Sequence, residues 1–432
     1  MLNRIKNFFY KILRRSEKYT QTDMVYFAHG NFWLVSGQFI SSLGTFLLAI
    51  FFANYLSQES YGTYKYVLSV ASILAIANLS GIDGVVTQAV ARGLEGSFII
   101  GLKTKIKFGA LGSVAALAIA IYYYIHNNLL LSTSFLIVGL VLPFMESFNI
   151  YDTFLLAKKQ FKISAIYKTI SQIASAAILI IVLILSKNPL LVILFYYLSW
   201  TLIRFILLKK TLKKFPPNKK QDPRAVNYGL HNSLIGVTSA LISSADSLIL
   251  FYYFGPIQLA VYSFAIAPIS QLRTLFDKIP VLALPKVAQR SMNDIKQMFW
   301  KRFWLLFLLG ALISAVYIIS APTIYHLFFP QYSESILYSQ VYSVSMIFIL
   351  CPAVASAVIT SRLTLVPKKM LYLYNIPSII FILAMLLTIP LFGVMGIVIS
   401  RLLSSASVII ITIIIWEKIK KIEGNTTPNL SA

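Results

Sequence analysis

The 432 residues are 58% hydrophobic and only 12% charged, which excludes an ordinary water-soluble domain. The formal charge of +24 would suit a nucleic-acid binder, but most of the 38 Lys and Arg sit in alternate loops between apolar runs. That placement excludes nucleic acid as a partner and leaves a polytopic membrane protein with its basic loops on one side.

In chain order, residues 1–29 come first as a basic segment. In "MLNRIKNFFYKILRRSEK", Ile5, Phe8, Phe9, Ile12 and Leu13 share one helical stripe, ringed by Arg4, Lys11, Arg14 and Arg15. This is the pattern of a helix lying on the membrane surface. The apolar residues never form an uninterrupted core, so the segment is not a cleavable signal.

Twelve spanning helices are predicted next, at 31–55, 62–83, 107–125, 134–156, 164–186, 189–208, 230–254, 258–281, 303–325, 336–358, 370–389 and 391–415. Most approach the roughly 20 residues needed to cross about 30 Å of hydrocarbon. Lipid offers the backbone no hydrogen bonds, so such runs must be helical. A basic, proline-bearing linker at 209–225, "KKTLKKFPPNKKQDPR" and its flank, divides an N-lobe (30–208, helices 1–6) from a C-lobe (226–416, helices 7–12), and a tail follows at 417–432. The charge asymmetry predicts cytoplasmic termini.

The chain also repeats itself at an offset of 198 residues. "LSQESYGTY" (56–64) lines up with "FGPIQLAVY" (254–262), and "VTQAVAR" (86–92) with "LPKVAQR" (284–290). Tyr64 thus meets Tyr262, and Arg204 falls next to the image of Arg401. Six helices per half make this a parallel repeat about an axis along the membrane normal. The predicted fold class is therefore an all-α polytopic membrane protein with about twelve transmembrane helices in two pseudo-symmetric six-helix lobes around a central cavity.

Several stretches carry a family resemblance. "NFWLVSGQFISSLGTFLLAIFFANYLSQESYGTYKYV" resembles the opening of polysaccharide-biosynthesis flippases, which share a superfamily with the multidrug and toxic-compound extruders. "ADSLILFYYFGPIQLAVYSFAIAP" resembles their seventh and eighth helices, and "PTIYHLFFPQYSES" the outer loop after the ninth. The chain departs at Ala260, where a glycine is common before the tyrosine. The resemblance implies a MATE-like fold whose helices 1, 2, 7 and 8 line the cavity.

Ionisable residues inside the membrane read as functional by default. At 1.5 Å per residue, Arg401 lies about 15 Å from the outer end of helix 12, Glu146 about 18 Å down helix 4, Asp246 about 12 Å from the outer end of helix 7 and Arg273 about 22 Å down helix 8. Arg273 and Asp277 are spaced i and i+4 and share a helix face, so one reading is a structural pair. The other is a cationic lining, with Lys278, for an anionic substrate. Arg204, about 22 Å deep and nearly equivalent to Arg401 under the repeat, reads either as the same role in two lobes or as a side chain that reaches the inner interface or braces helix contacts. Glu146 and Asp246 are candidates for ion coupling, because a carboxylate in low dielectric exchanges protons near neutrality. The alternative ties either carboxylate to Arg204 or Arg401. On helix 1, Gln38 with Ser41, Ser42 and Thr45 makes a polar stripe for sugar hydroxyls or for helix packing.

Cys351 is the single cysteine, and four scattered histidines form no metal set. No HExxH, GxSxG or GxxxxGK[ST] stretch occurs, so no cofactor and no enzyme activity are expected. Intramembrane arginines favour phosphate, which the planar guanidinium grips bidentately. With the resemblance, this implies a flippase for polyprenyl-diphosphate-linked oligosaccharide in a bacterial inner membrane. Membrane lipids and a polysaccharide assembly complex of polymerase and chain-length regulator would be its partners. The competing readings are an organic-cation extruder of the same superfamily, a membrane glycan polymerase or glycosyltransferase, and a scaffold.

Overall fold

The computed structural model describes residues 24–276, 287, 292–362, 370 and 372–426, and among these every regular element is helical. The basic N-terminal stripe, Asp277 and Lys278 lie outside the described residues. The chain divides into two compact units, one spanning Gly30–Val261 and the other holding Tyr262–Ala432.

In the first unit, α1 (Met24–Tyr55) leads through a short turn to α2 (Gln58–Leu74). A 3-10 turn (Ala75–Asn78) then joins α2 to α3 (Gly81–Ala91), and the pair is bent by 45°. The bend arises at Leu79, whose left-handed φ of 55° ends the first helix. There follow α4 (Ser97–Ile125), α5 (Leu129–Phe148), α6 (Ile150–Ala157), α7 (Phe161–Leu185) and α8 (Pro189–Lys214). Several helices start on a side-chain cap, which satisfies an otherwise orphaned N–H. Ser57 Oγ accepts from Ser60 N at 3.2 Å, Asn128 Oδ1 from Leu131 N at 3.1 Å and Asn188 Oδ1 from Leu190 N at 2.9 Å. One end of the unit is closed by an apolar cluster in which Ile82 and Val86 of α3 meet Phe98 of α4, Phe154 of α6 and Leu207 of α8.

Helix α9 (Ala225–Phe276) is interrupted at Gly255, with φ 78° and ψ −178°. Only glycine adopts that backbone without strain, and Pro256 follows it, a residue suited to a helical first turn. The turn of "FGPIQLAVY" is thus set by Gly255, while Ala260 is buried within the second limb. The departure from the family pattern at Ala260 therefore leaves the turn untouched.

The second unit continues with α10 (Met292–Phe328), α11 (Ser335–Ser343), α12 (Ser345–Leu350), α13 (Ala353–Ser361), α14 (Ile376–Phe392) and α15 (Val394–Thr426). Its largest buried side chain, Trp416, stacks on Phe299 with ring centroids 4.4 Å apart and planes 3° apart. The order of α4 to α8 recurs in α10 to α15: a long helix, a segmented span, then two long helices. The segmented spans are Leu129–Ala157 and Ser335–Ser361.

Among the described residues, ten helical stretches are long and apolar enough to cross a membrane, and the bent pair makes an eleventh. The difference from twelve lies in Leu241–Phe276, one stretch that takes in residues 241–254 of predicted helix 7 and 258–276 of predicted helix 8, on either side of Gly255. The all-α, polytopic membrane architecture is that expected from the sequence.

Candidate functional site

In the second unit, Arg273 is exposed and lines a cavity of about 200 Å³ together with Phe348, Pro352, Ser356 and Ser405. Arg401 lies one turn before Ser405 on α15, and Ser405 Oγ donates to the Arg401 carbonyl at 2.8 Å. The α-helical repeat therefore sets Arg401 about 6 Å along the axis from a wall of the Arg273 cavity. Arg401 Nε donates to Tyr262 Oη at 2.6 Å, and its guanidinium lies 5.4 Å from the Phe381 ring centroid. Phe381 and Tyr262 are both buried, so this cation is held over an aromatic face, which attracts it electrostatically.

In the first unit, the pseudo-equivalent Arg204 has a different partner. Its Nη1 sits 3.1 Å from Glu146 Oε1 and donates to the Met145 carbonyl at 2.8 Å. The position 198 residues beyond Glu146 is Val344, so the second half carries no carboxylate there. Glu146, offered by the sequence as an ion-coupling residue, is thus engaged by Arg204.

Two further ion pairs flank that one. Lys105 Nζ grips both carboxylate oxygens of Asp83, at 2.7 and 2.8 Å, with the lysine side chain only 4% exposed. Lys168 Nζ reaches Asp152 Oδ2 at 2.7 Å, and Ser164 Oγ also donates to Asp152. Sequence reasoning missed the Lys105–Asp83 pair, because both residues lie near predicted helix ends where solvation would be the ordinary outcome.

Asp246 is buried on the first limb of α9, and its Oδ1 accepts from Ser247 N at 2.7 Å. Across from it, Lys65 of α2 interacts with it electrostatically. The pair belongs to a long seam that α2 and the start of α3 make with α9. Tyr66 stacks on Phe251 at 3.8 Å and 11°, Ser72 and Ser244 hydroxyls are 2.8 Å apart, and Gly81 N donates to Ser233 Oγ at 3.0 Å. At the turn end, a Cβ on Gly62 would overlap the Pro256 carbonyl, so only glycine admits this approach.

Gln38 is half-buried on α1. Two turns along the same helix, Thr45 donates to the Ser41 carbonyl at 3.0 Å and accepts from Gln172 of α7 at 3.0 Å, so that part of the polar stripe packs helices. Arg273 and Arg401 are brought to one region of the second unit. Asp246 and Glu146 sit at separate places in the first. Among the described residues no group of His, Cys, Asp and Glu could hold a metal ion.

Residues 27–284 match the family described as "Polysaccharide biosynthesis protein". No curated protein matches the sequence. Among solved structures, the fold is similar to an inward-facing multidrug resistance MATE family transporter of the MOP superfamily, at 13% identity and TM-score 0.62 over 90% of this chain and 96% of that one. It is also similar to the lipid II flippase MurJ in an inward closed conformation, at 16% identity and TM-score 0.63 over 91% and 90%. A MOP superfamily transporter from Pyrococcus furiosus is similar at 12% identity and TM-score 0.59 over 91% and 96%. Identities this low speak for the fold, and the family rests on the sequence match across more than half of the chain. The protein is a multi-pass membrane protein of the polysaccharide biosynthesis family, with the fold of the MOP superfamily transporters.

Proposed function

We propose that the protein is a flippase that moves a polyprenyl-diphosphate-linked oligosaccharide from the cytoplasmic to the outer leaflet of a bacterial inner membrane by alternating access. The observation that carries this reading is the Arg273 cavity, with Ser356 and Ser405 in its walls and Arg401 one turn away. Guanidinium forks in low dielectric suit a diphosphate. The family description and the lipid II flippase among the similar structures support a lipid-linked glycan as cargo.

In this reading the diphosphate docks on Arg273 and Arg401 with help from Lys278, and Gln38 meets sugar hydroxyls. The lipid tail stays in the bilayer. Asp246, facing Lys65, and Glu146, paired with Arg204, exchange partners as coupling carboxylates. The lobes at 30–208 and 226–416 are the moving bodies, and both termini face the cytoplasm.

Translocation of a fluorescent lipid-linked oligosaccharide in proteoliposomes tests the proposal. Wild type exposes the label to an external quencher, and Arg273→Ala and Arg401→Ala slow this by tenfold or more, about 1.4 kcal/mol of lost substrate interaction. Equal rates for wild type, both variants and empty liposomes would refute it. Export of a cationic dye by the same vesicles would favour the second reading, a cation extruder, for which the buried Asp246 is the supporting observation.

A further inference from the structure

The α3–α4 turn and the linker before α9 are fastened together. Asn218 Oδ1 accepts from Glu95 N at 3.2 Å, Asn218 N donates to Glu95 Oε2 at 3.1 Å and Asn218 Nδ2 donates to the Gly93 carbonyl at 2.9 Å. Gly96 N donates to the Lys220 carbonyl at 2.8 Å, and Asp222 N to Ser97 Oγ at 2.8 Å. These bonds fix the walls of a cavity of about 660 Å³ lined by Gln88, Arg92, Asp222, Arg224, Tyr228 and Asn232, among others.

The donors in this cavity exceed what the protein itself uses. Arg92 Nη2 contacts Asp222 Oδ2 at 2.5 Å, which takes one edge of its guanidinium. Arg224 lies on the other side of Asp222, and its own backbone N–H bonds Asp222 Oδ1 at 3.0 Å. Among the described residues the side chains of Arg224, Gln88 and Asn232 make no hydrogen bond or ion pair, and all three are exposed to the cavity mouth. Two guanidinium groups against one carboxylate leave a net positive charge, with two amides ready to donate. The first turn of α9, whose helix begins at Ala225, adds the positive end of a helix dipole.

We propose that this cavity is a binding site for a phosphate-bearing anion, gripped by Arg224 and Arg92, which trades Asp222 for the ligand. The room exceeds that of a single phosphate and suits a diphosphate or a phosphorylated headgroup. Arg92 and Arg224 present planar forks that match phosphate oxygens bidentately. The site is separate from the Arg273 cavity and does not rest on the transport reading. Because Arg92 also anchors the linker, occupancy would loosen the contact between the α3 end and residue 222.

The test uses the full chain in phosphatidylcholine nanodiscs, titrated calorimetrically with inorganic pyrophosphate. Wild type binds, Arg224→Gln weakens the Kd by about tenfold, the loss of one charge-assisted contact, and Asp222→Asn tightens it by freeing Arg92. Arg224 is exposed, so its substitution leaves the fold intact, which thermal unfolding checks. Repeating the titration in phosphatidylglycerol discs separates the sources. Competition by the lipid, lost in Arg224→Gln, identifies a headgroup site, and indifference to the lipid identifies a soluble phosphate site. Pyrophosphate affinity that is the same in wild type, Arg224→Gln and Asp222→Asn, or absence of binding with no lipid effect, overturns the proposal.

Discussion

Arg401 and Tyr262 are joined by a 2.6 Å hydrogen bond from Nε to the phenolic oxygen, and Tyr262 is 1% exposed. The buried hydroxyl orients the guanidinium, so Tyr262→Phe removes an acceptor from a charged donor. A loss of about 1.5–3 kcal/mol follows from hydrogen bonds of this kind. The expected outcome is a lower Tm in detergent and slower oligosaccharide translocation. Unchanged values of both would mean that the hydroxyl neither holds nor aims Arg401.

The Arg204–Glu146 pair makes a second prediction. Removing one member leaves the other charge without its partner, which costs 3–5 kcal/mol for fully buried pairs. Here Glu146 retains 32% exposure, so Arg204→Met is expected to cost about 2 kcal/mol, and the double variant with Glu146→Leu to recover most of it. Chemical unfolding of the three variants measures the recovery. A double variant whose loss equals the sum of the two single losses would show that the two side chains act independently.

Much of this arrangement was legible in the sequence, and some of it was not. Apolar run length located the helices, because hydrocarbon thickness dictates it. The left-handed Leu79, which bends α2 against α3, carries no signal in its own residue type, although the adjoining Ser80 and Gly81 mark a weak point. Charged positions were readable, but their partners were not. Glu146 meets Arg204 over 58 residues of chain, and Lys65 faces Asp246, through rotations of helices about their axes that composition does not encode. The offset of 198 paired Tyr64 with Tyr262, yet gave no hint that Tyr262 would hold an arginine.

Gly62 offers a steric prediction. A side chain there would run into the Pro256 carbonyl, which is backbone and has no rotamer to yield. Gly62→Val is expected to part the turn end of the α2–α9 seam, with a cost of about 1–3 kcal/mol typical of overpacking. A disulfide between cysteines placed at Tyr66 and Phe251, which stack in wild type, would then form more slowly. Equal rates of formation would show that the seam tolerates the side chain.

The fastening of the linker depends on pH. The Arg224 N–H, followed by Arg92, holds the Asp222 carboxyl below the usual range. Burial pushes the Glu95 carboxyl up, but Lys158 and the Asn218 N–H outweigh it and hold it low. Carboxylates lowered in the folded state contribute stability that is present above their unfolded pKa and is lost as pH falls through the folded value. Hydrogen-exchange protection at Gly96 and Asn218, corrected for intrinsic rates, should therefore be flat from neutrality to about pH 5 and decline below about pH 4. Asp222→Asn should remove much of that decline. Protection that instead fell as pH rose would reverse the assignment.

The most direct test of the central claim is made in cells that lack the gene. The lipid-linked repeat unit is quantified on the cytoplasmic leaflet alongside surface glycan, with complementation by wild type and by Arg273→Ala. The account predicts accumulation of the lipid-linked unit and loss of surface glycan, cured by wild type and not by Arg273→Ala at equal expression. Normal lipid-linked pools and unchanged surface glycan in the deletion, with raised sensitivity to cationic drugs, would contradict it.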